Sequence, residues 1–133
     1  VKEKSIHALG KHWASGIGSF KKQHILDHRN KRFQIKDEDI EEVKIEFITF
    51  DMLIKKFFIK SIHKLQIDVE GAEYKILNTI DFSKIDIKEI VFESKHFDGT
   101  FHEGEKLAKI KQKLISNGYK VFKLDNENII AKK

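Results

Sequence analysis

The 133-residue sequence contains no cysteine and no proline. The absence of cysteine excludes a disulfide framework, a thiolate zinc site and a cysteine nucleophile. The absence of proline removes the usual marker of turns and linkers, so Gly, Asn and Asp must locate them. No apolar run reaches the roughly 18 residues of a membrane span, and the N-terminus lacks the apolar core of a signal peptide. These absences favour a cytoplasmic protein with no membrane partner.

The composition predicts one folded domain over residues 1–133. Hydrophobic residues make up 40% of the chain and aromatic residues 11%, which is enough for a packed core. Residues 1–42 show no sustained period beyond a helical stretch at 20–29, and they are predicted to form an irregular or helical lead-in. The chain starts at Val1 and its single methionine is Met52, which indicates a truncated or processed protein.

The net charge of +5 comes from 26 basic and 21 acidic residues. Nearly all of the basic residues are lysines, and they alternate with acidic residues, as in Lys84, Asp86, Lys88 and Glu89. Nucleic-acid grooves concentrate positive charge and favour arginine, whose planar guanidinium matches phosphate. The sequence therefore predicts no specific nucleic-acid partner, and it does not indicate which oligomeric state the protein has.

Residues 43–133 alternate between the periods of strands and helices. Asp51 is the predicted N-cap of the first of these helices. A stripe of Leu107, Ile110, Leu114 and Ile115 marks the last helix, which Gly118 ends in a left-handed conformation. The predicted strands are 43–50, 65–69, 87–93, 119–124 and 128–131, and the predicted helices are 51–58, 71–80 and 104–117.

This alternation is typical of an α/β fold with a parallel sheet covered by helices, here closed by an antiparallel hairpin. The unbroken apolar run at residues 90–92 is expected of a strand that is covered on both faces. In such sheets, ligands bind beyond the carboxyl ends of the strands. The residues that follow each strand are therefore the first candidates for a functional site.

Carboxylates follow two of the predicted strands. Asp68 lies near the end of the strand at 65–69 and Glu70 follows it, whereas Glu93 ends the strand at 87–93, with His96 close behind. Clustered carboxylates repel one another, which can raise the pKa of one of them and make it a general base. The same oxygens could instead hold a divalent cation, or Glu70 and Glu73 could simply cap the helix that begins near Gly71.

Two further groups of polar residues have weaker signals. His24 and His28 are four residues apart on the early helix, a spacing that can bind a metal, but paired histidines on a basic helix are usually solvated. No metal site is predicted there. His96, Asp98, His102 and Glu103 form a polar segment after the strand at 87–93, where an acceptor-binding loop is one interpretation and an ordinary connection is the other.

Several runs of this sequence resemble the FkbM family of S-adenosylmethionine-dependent methyltransferases. The main run is LQIDVEGAEYKIL at 65–77, preceded by ITFDML at 48–53 and followed by IVFESKH at 90–96. The resemblance continues through the Asn-Gly-Tyr-x-Val-Phe segment at 117–122 and covers about 43–133. Gln66 and Asn78 depart from the family's common residues, which are lysine and glycine.

The resemblance implies a class I methyltransferase fold, a Rossmann-like sheet in three layers. It implies methyl transfer from S-adenosylmethionine to a hydroxyl of a saccharide or another small natural product. Asp68 and Glu70 would lie at the end of the fourth strand, and Glu93 and His96 at the end of the fifth, as catalytic residues. Asp68 is also the candidate for a contact with the cofactor.

The family's glycine-rich turn, which cradles the cofactor, has no clear counterpart. Residues 16–20 (GIGSF) lack the third glycine and follow no predicted strand. The resemblance therefore implies that the sheet is incomplete at its N-terminal end, and that these 133 residues bind the cofactor weakly or not at all. A second hypothesis is a catalytically inert α/β domain whose carboxylates bind a cation or a protein partner.

Overall fold

The protein is described by a computed structural model that covers residues 19, 22–27, 37–69, 71–99 and 101–133. The chain divides into two compact units, Val1–Glu46 and Phe47–Lys133. In the first unit, helix α1 spans Lys22–Asp27, inside the predicted helical stretch, and a 3-10 turn spans Asp37–Asp39. An ion pair of 3.3 Å joins Lys22 to Asp37.

The second unit is a mixed α/β structure with a four-stranded sheet. Strands β1 and β2 are parallel, whereas β4 is antiparallel to both β2 and β3. The strand order β1-β2-β4-β3 confirms the predicted parallel pair and the antiparallel closing hairpin. The elements are α2 (Phe50–Lys56), β1 (Ser61–Ile67), α3 (Glu73–Thr79), β2 (Asp86–Glu93), α4 (Glu105–Ser116), β3 (Lys120–Lys123) and β4 (Asn128–Lys132).

The strand predicted at residues 43–50 is wrong. Residues 41–49 form no regular element, and α2 already begins at Phe50. Val43, Ile45 and Phe47, which alternate with other residues along this run, are all exposed. Alternation predicts a strand only where a neighbouring backbone accepts its hydrogen bonds and a core covers one face.

The predicted N-cap of α2 is also wrong by two residues. The hydroxyl of Thr49 accepts a hydrogen bond of 3.2 Å from the backbone N–H of Met52, which makes Thr49 the N-cap. Asp51 lies in the first turn instead, where its negative charge favours the helix dipole. Threonine and aspartate are both good capping residues, so local preference did not separate them.

The core lies on one face of the sheet. Leu65, Ile67, Ile90 and Phe92 share that face by strand alternation and register. Most of the buried apolar residues of β1, β2 and β4 form one cluster with those of α2, α3 and α4, so these helices cover this face. The opposite face carries the buried Val91 but also the exposed Lys64. The three-layer arrangement therefore stays a prediction, whereas burial of the whole 90–92 run is confirmed.

Helix α4 confirms most of its predicted stripe. Leu107, Ile110 and Leu114 are buried, but Ile115 is 59% exposed, because a residue one position after Leu114 is rotated by about 100° around the helix axis. Gly118 follows with a φ of +87°, as predicted for a left-handed end. No helix within the described ranges has both the length and the hydrophobicity to cross a membrane.

Candidate active site

The carboxyl ends of β1 and β2 bring acidic side chains together. In the parallel register Ile67 lies beside Phe92, so the next residues along the two strands, Asp68 and Glu93, are neighbours at one edge of the sheet. One carboxylate oxygen from each of Asp68, Glu73 and Glu93 lies within 4.8 Å of the others. We call these three residues the carboxylate cluster. The predicted approach of Asp68 to Glu93 is thus observed, while Glu73 is an addition.

Glu73 holds the turn between β1 and α3. Its side chain is only 1% exposed; Oε1 accepts a hydrogen bond of 2.8 Å from the N–H of Val69, and Oε2 accepts one of 3.0 Å from the N–H of Gly71. Gly71 has a φ of +99°, which glycine adopts at little cost. The sequence suggested Glu73 only as a helix cap, but its donors belong to the turn before the helix.

Glu93 and Asp68 differ in their surroundings. Glu93 is 9% exposed, and its Oε1 lies 3.8 Å from the Nζ of Lys95, which is also 3.0 Å from an oxygen of Glu127. Asp68 is exposed to solvent. The cluster thus has a deep carboxylate beside a compensating cation and an outer carboxylate that a ligand can reach. Sequence reasoning missed Lys95, because its contact with the hairpin residue Glu127 spans distant parts of the chain.

The other predicted site residues fall outside this cluster or outside the described chain. His96 is half-buried in the turn after β2, and it is not a member of the carboxylate cluster. Glu70 is outside the described residues, as are the side chains of His24 and His28 and residues 16–20 apart from Ser19. Their predicted roles stay predictions.

Asp98, predicted as part of a polar loop, caps helix α4. Its carboxylate accepts backbone hydrogen bonds from Gly104, Lys106 and Leu107 at 2.9 to 3.1 Å. A β-carbon on Gly104 would lie 2.8 Å from the Asp98 side chain, so the close approach requires glycine. Burial alone would raise the pKa of Asp98, but the three N–H donors outweigh it and lower that pKa below its ordinary value of 3.8. The loop between β2 and α4 is therefore held in place at the end that leads into α4.

We expect Asp98→Asn to destabilise the fold by about 1–2 kcal/mol, the usual effect of losing a strong N-terminal cap. Because the folded pKa lies below 3.8, the stabilisation is present above that pH and is lost as pH falls through the folded pKa. Urea unfolding of both proteins at a series of pH values measures this. The difference between them should be largest near neutral pH and shrink towards pH 3; a difference that does not depend on pH contradicts the assignment.

A cavity of about 200 Å³ is lined in part by Lys95, which contacts Glu93 of the carboxylate cluster. Its walls are the residues that follow β2, the end of the loop that Asp98 fixes, and the β3–β4 hairpin. Lys95 joins the two features, because it lines the cavity and contacts Glu93. The carboxyl edge of the sheet therefore has acidic groups next to a space that can take a ligand.

Comparison with known protein families gives a match to the FkbM methyltransferase domain over residues 5–121. The match begins well before residue 43, where the sequence resemblance began, and it ends within β3. No curated protein sequence and no solved structure matches the chain significantly. Because the matched residues make up most of the chain, the protein belongs to the FkbM methyltransferase domain family, and its class of activity is methyl transfer.

Proposed function

We propose that this protein takes part in methyl transfer from S-adenosylmethionine to a hydroxyl of a saccharide or another small natural product. The observation that supports this most directly is the pairing of Asp68 and Glu93 at the carboxyl edge of two parallel strands. Ligands of α/β sheets bind at this edge. In a class I, three-layer sheet, β1 and β2 would be the fourth and fifth strands.

The residues of the cluster fit a reaction at an alcohol. S-adenosylmethionine supplies a methyl group on a positively charged sulfur, and carboxylates favour a cation nearby. The sulfur–carbon bond breaks as the oxygen–carbon bond forms, and the hydroxyl proton must pass to a base. S-adenosylhomocysteine and the methyl ether are the products.

The roles of the carboxylates follow from their surroundings. Asp68 is accessible, so we assign it the role of the base that accepts the hydroxyl proton. Glu93 is held beside Lys95 and would orient the acceptor by accepting a hydrogen bond from a second hydroxyl of the same molecule. Glu73 is not a proton acceptor in this scheme, because both of its oxygens already accept backbone N–H groups. Glu70 and His96 follow the same two strands and remain the alternative bases.

The carboxylate cluster also supports a second candidate, a cation-binding domain without catalysis. Oxygen atoms from three carboxylates within 4.8 Å could approach a divalent cation. Calcium, however, takes six to eight oxygen ligands, and the two oxygens of Glu73 are engaged with the backbone. The arrangement therefore favours the methyltransferase.

Calorimetry and mass spectrometry on the complete natural protein distinguish the two functions. The methyltransferase binds S-adenosylmethionine and, with trideuteromethyl-labelled cofactor and a panel of glycosides, yields a labelled methyl ether and S-adenosylhomocysteine. Binding of magnesium or calcium without binding of S-adenosylmethionine contradicts the proposal and supports the cation site.

A further inference from the structure

The cavity beside the carboxylate cluster has an exposed aromatic ring at its edge. Phe101 is 61% exposed, although burial of a phenylalanine side chain stabilises a fold by about 2 kcal/mol. Its backbone φ is +57°, in the left-handed region that bulky residues rarely adopt. A solvent-exposed phenylalanine in this conformation adds little to stability, and at the edge of the cavity its ring is available to a ligand.

The backbone and the ring of Phe101 both contact Lys95. The N–H of Phe101 donates a hydrogen bond of 2.9 Å to the carbonyl oxygen of Lys95, and the Lys95 ammonium lies 5.4 Å from the ring centroid. Across the cavity, the N–H of Ser94 donates a 2.8 Å hydrogen bond to the carbonyl oxygen of Glu127 in the hairpin turn. These contacts tie both walls to β2 and so hold the cavity in shape before a ligand arrives.

The lining offers hydrogen-bonding groups with little unbalanced charge. Lys95 contacts Glu127 and Glu93, and Glu103 pairs with Lys111 at 3.2 Å. The remaining polar side chains include Ser94, His102 and Asn126, together with Lys123. A face of this kind, with one aromatic ring and several donors and acceptors, suits a neutral ring that carries hydroxyl groups better than a strongly anionic group.

The size and place of the cavity agree with a small acceptor. Its volume of about 200 Å³ is below the roughly 300–1,000 Å³ of sites for drug-sized ligands, so it suits a single ring. Lys95 places the cavity next to Glu93, and a carboxylate oxygen of Asp68, the proposed base, lies within 4.8 Å of one of Glu93.

We propose that this cavity is the acceptor subsite, and that it binds a neutral sugar ring packed against Phe101, with the sugar hydroxyl groups hydrogen-bonded to His102 and Asn126. This inference rests on the proposed methyl transfer, whose acceptor it specifies. Phe101 is a specificity-determining residue in this scheme, and Asp68 accepts the proton.

Ligand-observed NMR on the natural protein without cofactor tests the subsite, with methyl glucoside, methyl mannoside and methyl fucoside as probes and inorganic phosphate as the anionic comparison. We expect at least one glycoside to bind, and Phe101→Ala to weaken its binding about tenfold or more. Phe58→Ala is the matched control, because Phe58 is also exposed with a φ of +52° but does not line the cavity. Asn126→Ala gives a second variant should Phe101→Ala unfold.

Unchanged glycoside binding in both cavity variants overturns the subsite, and so does binding of phosphate without binding of any glycoside. These outcomes are distinct from failure of the proposed function, which is read from S-adenosylmethionine binding. A protein that binds the cofactor but loses no glycoside affinity in Phe101→Ala is a methyltransferase with its acceptor elsewhere. A protein that binds glycosides through Phe101 but no cofactor keeps the sugar site and loses the reaction.

Discussion

Replacing Asp68 with asparagine should lower kcat for methyl transfer by about 10²–10⁴, the usual contribution of a general base. Asparagine has nearly the same shape as aspartate but cannot accept the proton at neutral pH. Asp68 is exposed and lies beside Glu93, so the substitution should change the chemistry more than the fold. Single-turnover measurement of labelled product at saturating S-adenosylmethionine separates the chemical step from cofactor binding.

The control for this prediction is Asp86→Asn. Asp86 begins β2, at the end of the strand opposite Glu93, and it pairs with Lys88 at 2.8 Å. Asp86→Asn should leave kcat essentially unchanged. If Asp68→Asn keeps a rate close to that of the natural protein, the proton passes to another group, and the same measurement on Glu70→Gln and His96→Gln identifies it.

Replacing Glu73 with glutamine should destabilise the fold by about 3 kcal/mol, since hydrogen bonds to a charged acceptor contribute about 1.5–3 kcal/mol each. The glutamine amide has a single acceptor oxygen, so its NH₂ group would face the N–H of Val69 or of Gly71. Residue 73 is only 1% exposed, so the NH₂ group and the N–H that it faces would both be buried. An unsatisfied buried donor raises the free energy of the folded state more than an exposed one does. Urea unfolding followed by circular dichroism measures the change.

The matched control is Glu105→Gln, in the first turn of α4 and exposed, which should change stability by less than about 0.5 kcal/mol. Equal effects of the two substitutions would contradict the role of Glu73 in the turn. Because the turn also places Asp68, we expect Glu73→Gln to lower turnover even at temperatures where the protein stays folded.

The family and much of the fold could be predicted from local sequence signals. The DVEGAE run after an apolar strand, the stripe of α4 and the glycine at 118 each depend on a few neighbouring residues, and the structure has them within one to four residues of the expected bounds. The parallel β1–β2 pair followed from a helix between two strands. The strand predicted at 43–50 shows where local signals fail. Alternation of apolar and polar residues does not supply a neighbouring strand to pair with.

The sequence by itself determined the residue types at the carboxyl edge of the sheet, since the positions of Asp68 and Glu93 relative to their strands follow from period and length. Only the tertiary structure assigned a separate role to each of the polar residues near this edge. Burial and two backbone donors turned Glu73 into a support for the turn, and three more donors made Asp98 the cap of α4. The hairpin supplies the second wall of the cavity that Lys95 and Phe101 line. The partners of Glu73 and Asp98 are close in sequence, but these bonds depend on the backbone conformation of a turn and a loop, which residue type alone does not specify. The pairing of Lys95 with Glu127 joins distant parts of the chain, which a local pattern does not encode.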